Sequence, residues 1–249
     1  MSAPKALLAL FASTMLATPL SAAPLALVYR GPAGCEGCSE AVAAVLETSK
    51  YQFKVEYVGP NEPLQLNAET LKHATLYAQP GGGDDVPYAA QSIGAEGLAA
   101  VRDFVASGGR YFGVCMGAYL ASAAGFGVID GQAVSYVGRP GSLVDHDEDT
   151  VTPVYWRGEE RWLYYQSGST ILFSPKASGV NVLARYPNND IAASVSPFGA
   201  GRVGLVGPHP EADQTWYDAA GLVDPDGHTA ELAQDLLAAT MDGARPFDE

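Results

Sequence analysis

Residues 108–119 read Gly108-Gly109-Arg110-Tyr111-Phe112-Gly113-Val114-Cys115-Met116-Gly117-Ala118-Tyr119, and this stretch decides the fold. An apolar run, Tyr111 to Val114, ends in Gly113-x-Cys115-x-Gly117 and passes at once into Ala- and Leu-rich residues of helical composition. Strand, sharp turn and helix in that order hold a nucleophile clear of its own backbone. The small residues beside Cys115 permit a strained turn, and a helix starting there aims its positive end at the sulfur, which favours the thiolate. The alternative for Cys115 is an inert core thiol in a tight turn.

Working outward, the same texture repeats upstream. Leu25 to Tyr29 is a short apolar run stopped by Arg30-Gly31-Pro32, and Ser39 to Leu46 has helical composition. Phe53 to Val58 alternates as a strand, Asn67 can cap a short helix holding Leu71, and Thr75 to Ala78 is a third strand running into Pro80-Gly81-Gly82-Gly83-Asp84. Ala95 to Ser107 reads as a helix through Leu98, Val101 and Val105. Such alternation implies an α/β fold with a mostly parallel sheet, and right-handed crossovers place the loops that follow its strands along one edge. Ligands of open α/β sheets bind at that edge.

Downstream the texture changes. Val151–Trp156, Arg161–Tyr165, Thr170–Phe173, Val180–Tyr186 and Ile191–Val195 are short runs separated by Gly, Pro, Asn and Asp, as expected of antiparallel ribbons and sheet-edge strands. Val203 to Val206 reads as a last central strand ending at Gly207-Pro208-His209-Pro210-Glu211, and Thr229 to Met241 as a terminal helix. Residues 24–249 read as one domain.

Composition sets outer limits. Of 249 residues, 47% are hydrophobic, enough for a large core. The balance of 28 acids against 14 bases, net charge -14, leaves no basic stripe for nucleic acid or an anionic membrane. Lys5, the apolar run Ala6 to Ala17, and Ser21-Ala22-Ala23 have the layout of a signal peptide over residues 1–23, with cleavage after Ala22 or Ala23 and a periplasmic or secreted product. A buried N-terminal helix is the competing reading. No other segment is suited to crossing a membrane.

Export changes how the three cysteines read. Cys35 and Cys38 form one Cys-x-x-Cys pair, and with only four His in the chain a zinc site is poorly supported. A local disulfide suits an oxidising compartment, and a redox-active pair is the alternative. Cys115 is then the unpaired thiol.

A cysteine nucleophile wants a base in hydrogen-bond reach and a third group orienting that base. His209 follows an apolar strand, and Glu211 can accept from its ring two residues on. The amide N–H of Met116, and one from the Gly81–Gly83 loop, can serve a developing oxyanion. Weaker signals surround this set. Asp145-His146-Asp147-Glu148-Asp149 reads as a solvated loop rather than a cation site, and Asp224-Pro225-Asp226-Gly227-His228 as a turn. Tyr155, Trp156, Trp162, Tyr164 and Tyr165 read as ribbon packing more than a substrate wall. Glu36 and Glu40 lie on the first post-strand loop and helix, where either could approach Cys115. No metal or cofactor is expected.

Pro80-Gly81-Gly82, Gly113-Val114-Cys115-Met116-Gly117 and His209-Pro210-Glu211 resemble the three signatures of class I glutamine amidotransferases. The resemblance implies a flavodoxin-like three-layer α/β sandwich and hydrolysis of an amide through a thioester. Cys115 would be the nucleophile, His209 the base and Glu211 its orienter. Gly82 and Met116 would form the oxyanion hole, with Gly81, Gly83 and Tyr119 at the substrate. Leu27-Val28-Tyr29-Arg30-Gly31-Pro32, Pro80-Gly81-Gly82-Gly83-Asp84 and the run Gly113 to Ser122 are similar, more narrowly, to the amidotransferase-like domain at the N-terminus of some biotin–protein ligases. The sequence has no Gly-Arg-Gly-Arg type loop, so biotin transfer is not implied. Tyr119 stands where working amidotransferases usually carry Gln, and no synthetase domain is present to receive ammonia. The expected function is therefore a free-standing cysteine hydrolase of an amide, peptide or γ-glutamyl bond acting on a small molecule or peptide. The alternatives are a non-catalytic binding or sensor protein of the same fold, and a redox role for Cys35 and Cys38.

Overall fold

A computed structural model describes residues 22–227 and 230–243. The expected export segment falls almost wholly on residues 1–21, outside the described residues, as does His228. Among the described residues no helix is long and apolar enough to cross a membrane.

The elements in chain order are β1 (Leu25–Tyr29), α1 (Cys38–Thr48), β2 (Lys54–Val58), α2 (Ala68–Leu71), β3 (Leu76–Gln79), α3 (Val86–Ala106), β4 (Arg110–Val114) and α4 (Met116–Leu120). The second half contributes β5 (Gly131–Ser135), β6 (Thr150–Trp156), β7 (Glu159–Tyr165), β8 (Ser169–Phe173), β9 (Asn181–Arg185), β10 (Ile191–Phe198), β11 (Gly201–Val206), α5 (Gln214–Ala220) and α6 (Ala230–Asp242).

One sheet has the order β2-β1-β3-β4-β11-β10-β9-β6-β7, and β5 pairs with β8 in a second. From β2 to β11 every pairing is parallel; from β11 to β7 every pairing is antiparallel. Four of the runs read from the sequence, β6, β7, β9 and β10, thus extend the central sheet, whereas the run Thr170–Phe173 becomes β8 and pairs with β5 in the second sheet. Alternation along the strands feeds two cores. Ala26, Val28, Leu76, Ala78, Phe112 and Val114 face one, and Leu27, Tyr29, Tyr77, Tyr111, Val203 and Leu205 face the other. Burial on both faces explains why the inner strands β1, β3, β4 and β11 read as apolar runs, while the edge strand β2 alternates.

The register brings the strand ends level. Gln79 pairs with Gly113, and Val114 with Val206, so the loops after β3, β4 and β11 leave from one edge.

Three local readings are corrected. The helix expected at Ala95 begins at Val86, capped by Asp85 Oδ1 accepting from Tyr88 N, and is interrupted at Gly94 (φ 79°, ψ 157°). The helix after Cys115 is only five residues long, because Phe126 N and Val128 N bond back to Leu120 O and Ala121 O and turn the chain away. Elements β5 and α5 lie where no element was expected; α5 is marked by Asp213, which caps Thr215 N, and by Gly221 in the left-handed region (φ 66°). Asn67 caps α2 as read, accepting from Thr70 N at 3.0 Å.

Candidate functional site

Cys115 sits at the turn from β4 into α4 with φ 49° and ψ -104°, a conformation costly for a side-chain-bearing residue. Its N–H donates to Val206 O at 2.9 Å, and its carbonyl accepts from Ala118 N and Tyr119 N. The strain therefore lies on Cys115 itself. The flanking glycines answer a different need, which is close approach. A Cβ on Gly117 would lie 2.2 Å from Gln79 O, and one on Gly113 would lie 2.7 Å from Gly117 O.

His209 follows β11, and its N–H donates to Tyr164 O at 2.9 Å. Nδ1 lies 2.8 Å from Glu211 Oε1, with both side chains almost wholly buried. The Cys115 charge acts on the same ring. Burial alone would push the imidazole down. The negative charges of Glu211 and Cys115, with the Glu211 hydrogen bond, outweigh it and push His209 up to about 10. Tyr164 and Trp216 rings flank His209 with centroids at 6.0 and 5.3 Å, closing its far side to water.

An unfolded imidazole titrates near ~6.5. The charged His209 therefore stabilises the fold fully below that value, and its contribution is lost as pH rises through about 10. Denaturation of wild type and His209→Gln across pH 6–9 should show the wild-type advantage shrinking with rising pH, by up to ~1.4 kcal/mol per pH unit. A gap independent of pH would contradict the charge assignment.

The Gly81–Gly83 loop meets this pair closely. A Cβ on Gly81 would lie 2.8 Å from His209 Cε1, and one on Gly82 would lie 3.2 Å from Met116 Cβ and 2.8 Å from Ala33 O. Gly82 and Met116 are thus brought together beside Cys115. Met116 opens α4, where an amide has no partner within its own helix.

Cys35 and Cys38 form a disulfide with Cα atoms 5.3 Å apart, at the start of α1. It belongs to the same neighbourhood: Cys35 N donates to Gly81 O at 2.9 Å, and Cys38 Sγ lies 3.4 Å from the position of a Gly81 Cβ. Cys115 is the free cysteine of the chain, and it is buried.

A cavity of about 360 Å³ opens over the sulfur. Cys115 and Tyr119 line it together with Gly82, Gly83 and Asp84 of one loop. Ser135, Asp147 and Ser167 line it as well. Tyr119 Oη donates to Ser167 O at 2.9 Å and Gly168 O at 3.2 Å, which pins the β7–β8 turn beside Cys115. In the same turn Gln166 O accepts from Cys115 Sγ at 3.7 Å. Burial first, and the Cys115 charge second, push the Tyr119 phenol far up, so it stays a donor.

Other expected features lie elsewhere. Glu40 is paired with Arg30 at 3.1 Å and does not serve Cys115. Asp226 accepts from Arg161 Nε and Trp162 N, a structural turn. Among the described residues no cluster of His, Cys, Asp and Glu could hold a metal ion. Trp156 and Tyr165 are core residues, whereas Tyr164 turns out to pack on His209. Sequence reading missed Trp216, Asp147 as a cavity residue, and the Gln166–Gly168 turn. Of these, only Trp216 had a local signal, the Asp213 cap that starts its helix.

Residues 25–129 match the family described as "Biotin-protein ligase, N terminal". No curated protein matches the sequence. Among solved structures, a glutamine amidotransferase from Thermotoga maritima superposes with TM-score 0.59 at 15% identity, covering 88% of this chain and 97% of that one. A further glutamine amidotransferase gives TM-score 0.54 at 16% identity, covering 80% and 99%. A ThuA-like protein from Bacteroides uniformis gives 0.52 at 13%, covering 92% and 98%. Identities this low speak for the fold alone. The chain therefore shares the fold of these glutamine amidotransferases, and residues 25–129 are similar to the N-terminal domain of biotin–protein ligases.

Proposed function

We propose that this protein is an exported cysteine hydrolase that cleaves an amide, peptide or γ-glutamyl bond without a synthetase partner. The observation that carries the reading is one buried imidazole bonded to a buried carboxylate and under the electrostatic influence of the chain's free cysteine. In this reading the Cys115 sulfur attacks the substrate carbonyl carbon and forms a C–S bond. The oxyanion takes hydrogen bonds from the amides of Gly82 and Met116. Protonated His209, held by Glu211, gives its proton to the leaving nitrogen as the C–N bond breaks. Water, losing a proton to His209, then attacks the thioester, and the C–S bond breaks to give a carboxylate and the starting thiol. Export is supported by the leader-like composition of residues 1–23 and by the Cys35–Cys38 disulfide.

The test is turnover by the mature protein across a panel of amides, peptides and γ-glutamyl compounds, with Cys115→Ala as control. Turnover lost in the variant supports the reading. A ligand bound equally by both proteins, with turnover in neither, favours instead a non-catalytic binding or sensor protein. That second reading draws on Tyr119, whose hydroxyl is committed to Ser167 and Gly168 instead of a substrate.

A further inference from the structure

The Cys115 cavity is charged on one side of the scale only. Its two ionisable walls are Asp84, on the loop after β3, and Asp147, on the loop between β5 and β6, and both residues are exposed. No Lys, Arg or His is among its lining residues. Arg30 is engaged by Glu40 and Glu62, and Arg139 by Asp190. His146, next to Asp147, is exposed and outside the lining. Two of the hydroxyl donors are engaged: Tyr119 Oη bonds Ser167 O and Gly168 O, and Ser167 Oγ bonds the Asp147 carbonyl at 3.2 Å.

A substrate group entering here meets carboxylates on two separate loops at the mouth, with the nucleophile on the floor. The His209 imidazolium is already shared by Glu211 and Cys115, so an anionic group at the mouth would lose its water beside two carboxylates, whereas an ammonium or guanidinium would be held by one or both of them. We propose that the site takes cationic amides, with a positive charge a few atoms from the scissile carbonyl, and rejects amides that carry a free carboxylate there. Of the three bond types considered above, this favours a peptide or amide bearing an unacylated amine. It disfavours a free γ-glutamyl amino acid, whose α-carboxylate finds no partner. The proposal rests on the hydrolase reading for its chemistry, but the charge preference belongs to the cavity and is measurable without a substrate.

The experiment compares labelling of Cys115 by two methanethiosulfonates of similar size, one carrying trimethylammonium and one carrying sulfonate. Rates are followed by intact mass on the mature protein and divided by each reagent's rate with a free small thiol. The expected normalised ratio favours the cation by about tenfold at low salt and falls several-fold in 0.5 M NaCl. Asp84→Asn/Asp147→Asn should cut the low-salt ratio about fivefold or more. Asp103→Asn, beside the start of β4 at the opposite sheet edge, should leave it unchanged and so separates the cavity's charge from the net charge of -14. A wild-type ratio near or below one, a ratio untouched by the double substitution, or no labelling by either reagent would overturn the proposal. Should the double variant not fold, the wild-type ratio and its salt dependence decide alone. Failure of the hydrolase reading shows differently: the charge preference is present, yet no amide of the panel, cationic or otherwise, is turned over.

Discussion

Cys115→Ala is expected to lower turnover of any substrate by at least ~10³-fold, because the covalent route disappears with the sulfur. No other thiol can replace it, since Cys35 and Cys38 are joined. The fold should survive. Alanine keeps the same costly backbone conformation and leaves His209 and Glu211 bonded to each other. Cys115→Gly isolates that backbone cost. Glycine adopts φ 49° with far less steric penalty, so this variant should be more stable than Cys115→Ala by ~1 kcal/mol despite glycine's greater freedom when unfolded. Kinetics with each variant and chemical denaturation check both statements. Turnover within tenfold of wild type in Cys115→Ala would remove the nucleophile from the account.

Gly117→Ala is expected to destabilise the protein by ~3 kcal/mol or more, a drop in Tm of ~6 °C or more for a chain of this size. The added methyl would sit 2.2 Å from Gln79 O and 3.1 Å from Gln79 C, which are backbone atoms. Relief requires moving β3 against β4, where Gln79 is registered with Gly113. The Gly117 carbonyl also accepts from buried Tyr111 Oη at 2.7 Å, so a shift on the α4 side breaks that bond instead. Gly83→Ala provides the control: open space surrounds that position, and its stability should stay within ~0.5 kcal/mol of wild type. Equal melting temperatures for Gly117→Ala and Gly83→Ala would show that the elbow is not packed as described.

The parts of the fold that were legible in the sequence are those fixed by short-range pattern. The inner parallel strands read as apolar runs because both faces are buried, and each ends in a glycine or proline turn a few residues long. The candidate site was legible for the same reason, since Gly81-Gly82, Cys115 and His209-x-Glu211 each follow directly on such a strand. What escaped was set by longer-range pairing. The order β10-β9-β6-β7 depends on antiparallel partners far apart in the chain, and a run such as Val151–Trp156 carries no mark of which strand it will meet. Gly94 divided α3, so only its second half has uninterrupted helical spacing. The length of α4 is set by Phe126 and Val128 turning back on it, outside the pattern of α4 itself. Tyr164, Trp216 and Asp147 reach the site from elements whose own patterns speak only of packing or solvent. The reason for the elbow glycines changed as well: neither needs positive φ, and both are demanded by a backbone carbonyl within 3 Å of where a side chain would begin.

We propose that Cys115, His209 and Glu211 act as one chemical unit. The most direct test is the rate of Cys115 alkylation by iodoacetamide at pH 7 in wild type and in His209→Gln, with thermal melts confirming that both are folded. The account predicts that wild type is labelled at Cys115 faster than a free small thiol, and that His209→Gln is slower than wild type by about tenfold or more. Equal labelling rates in the two folded proteins would contradict it.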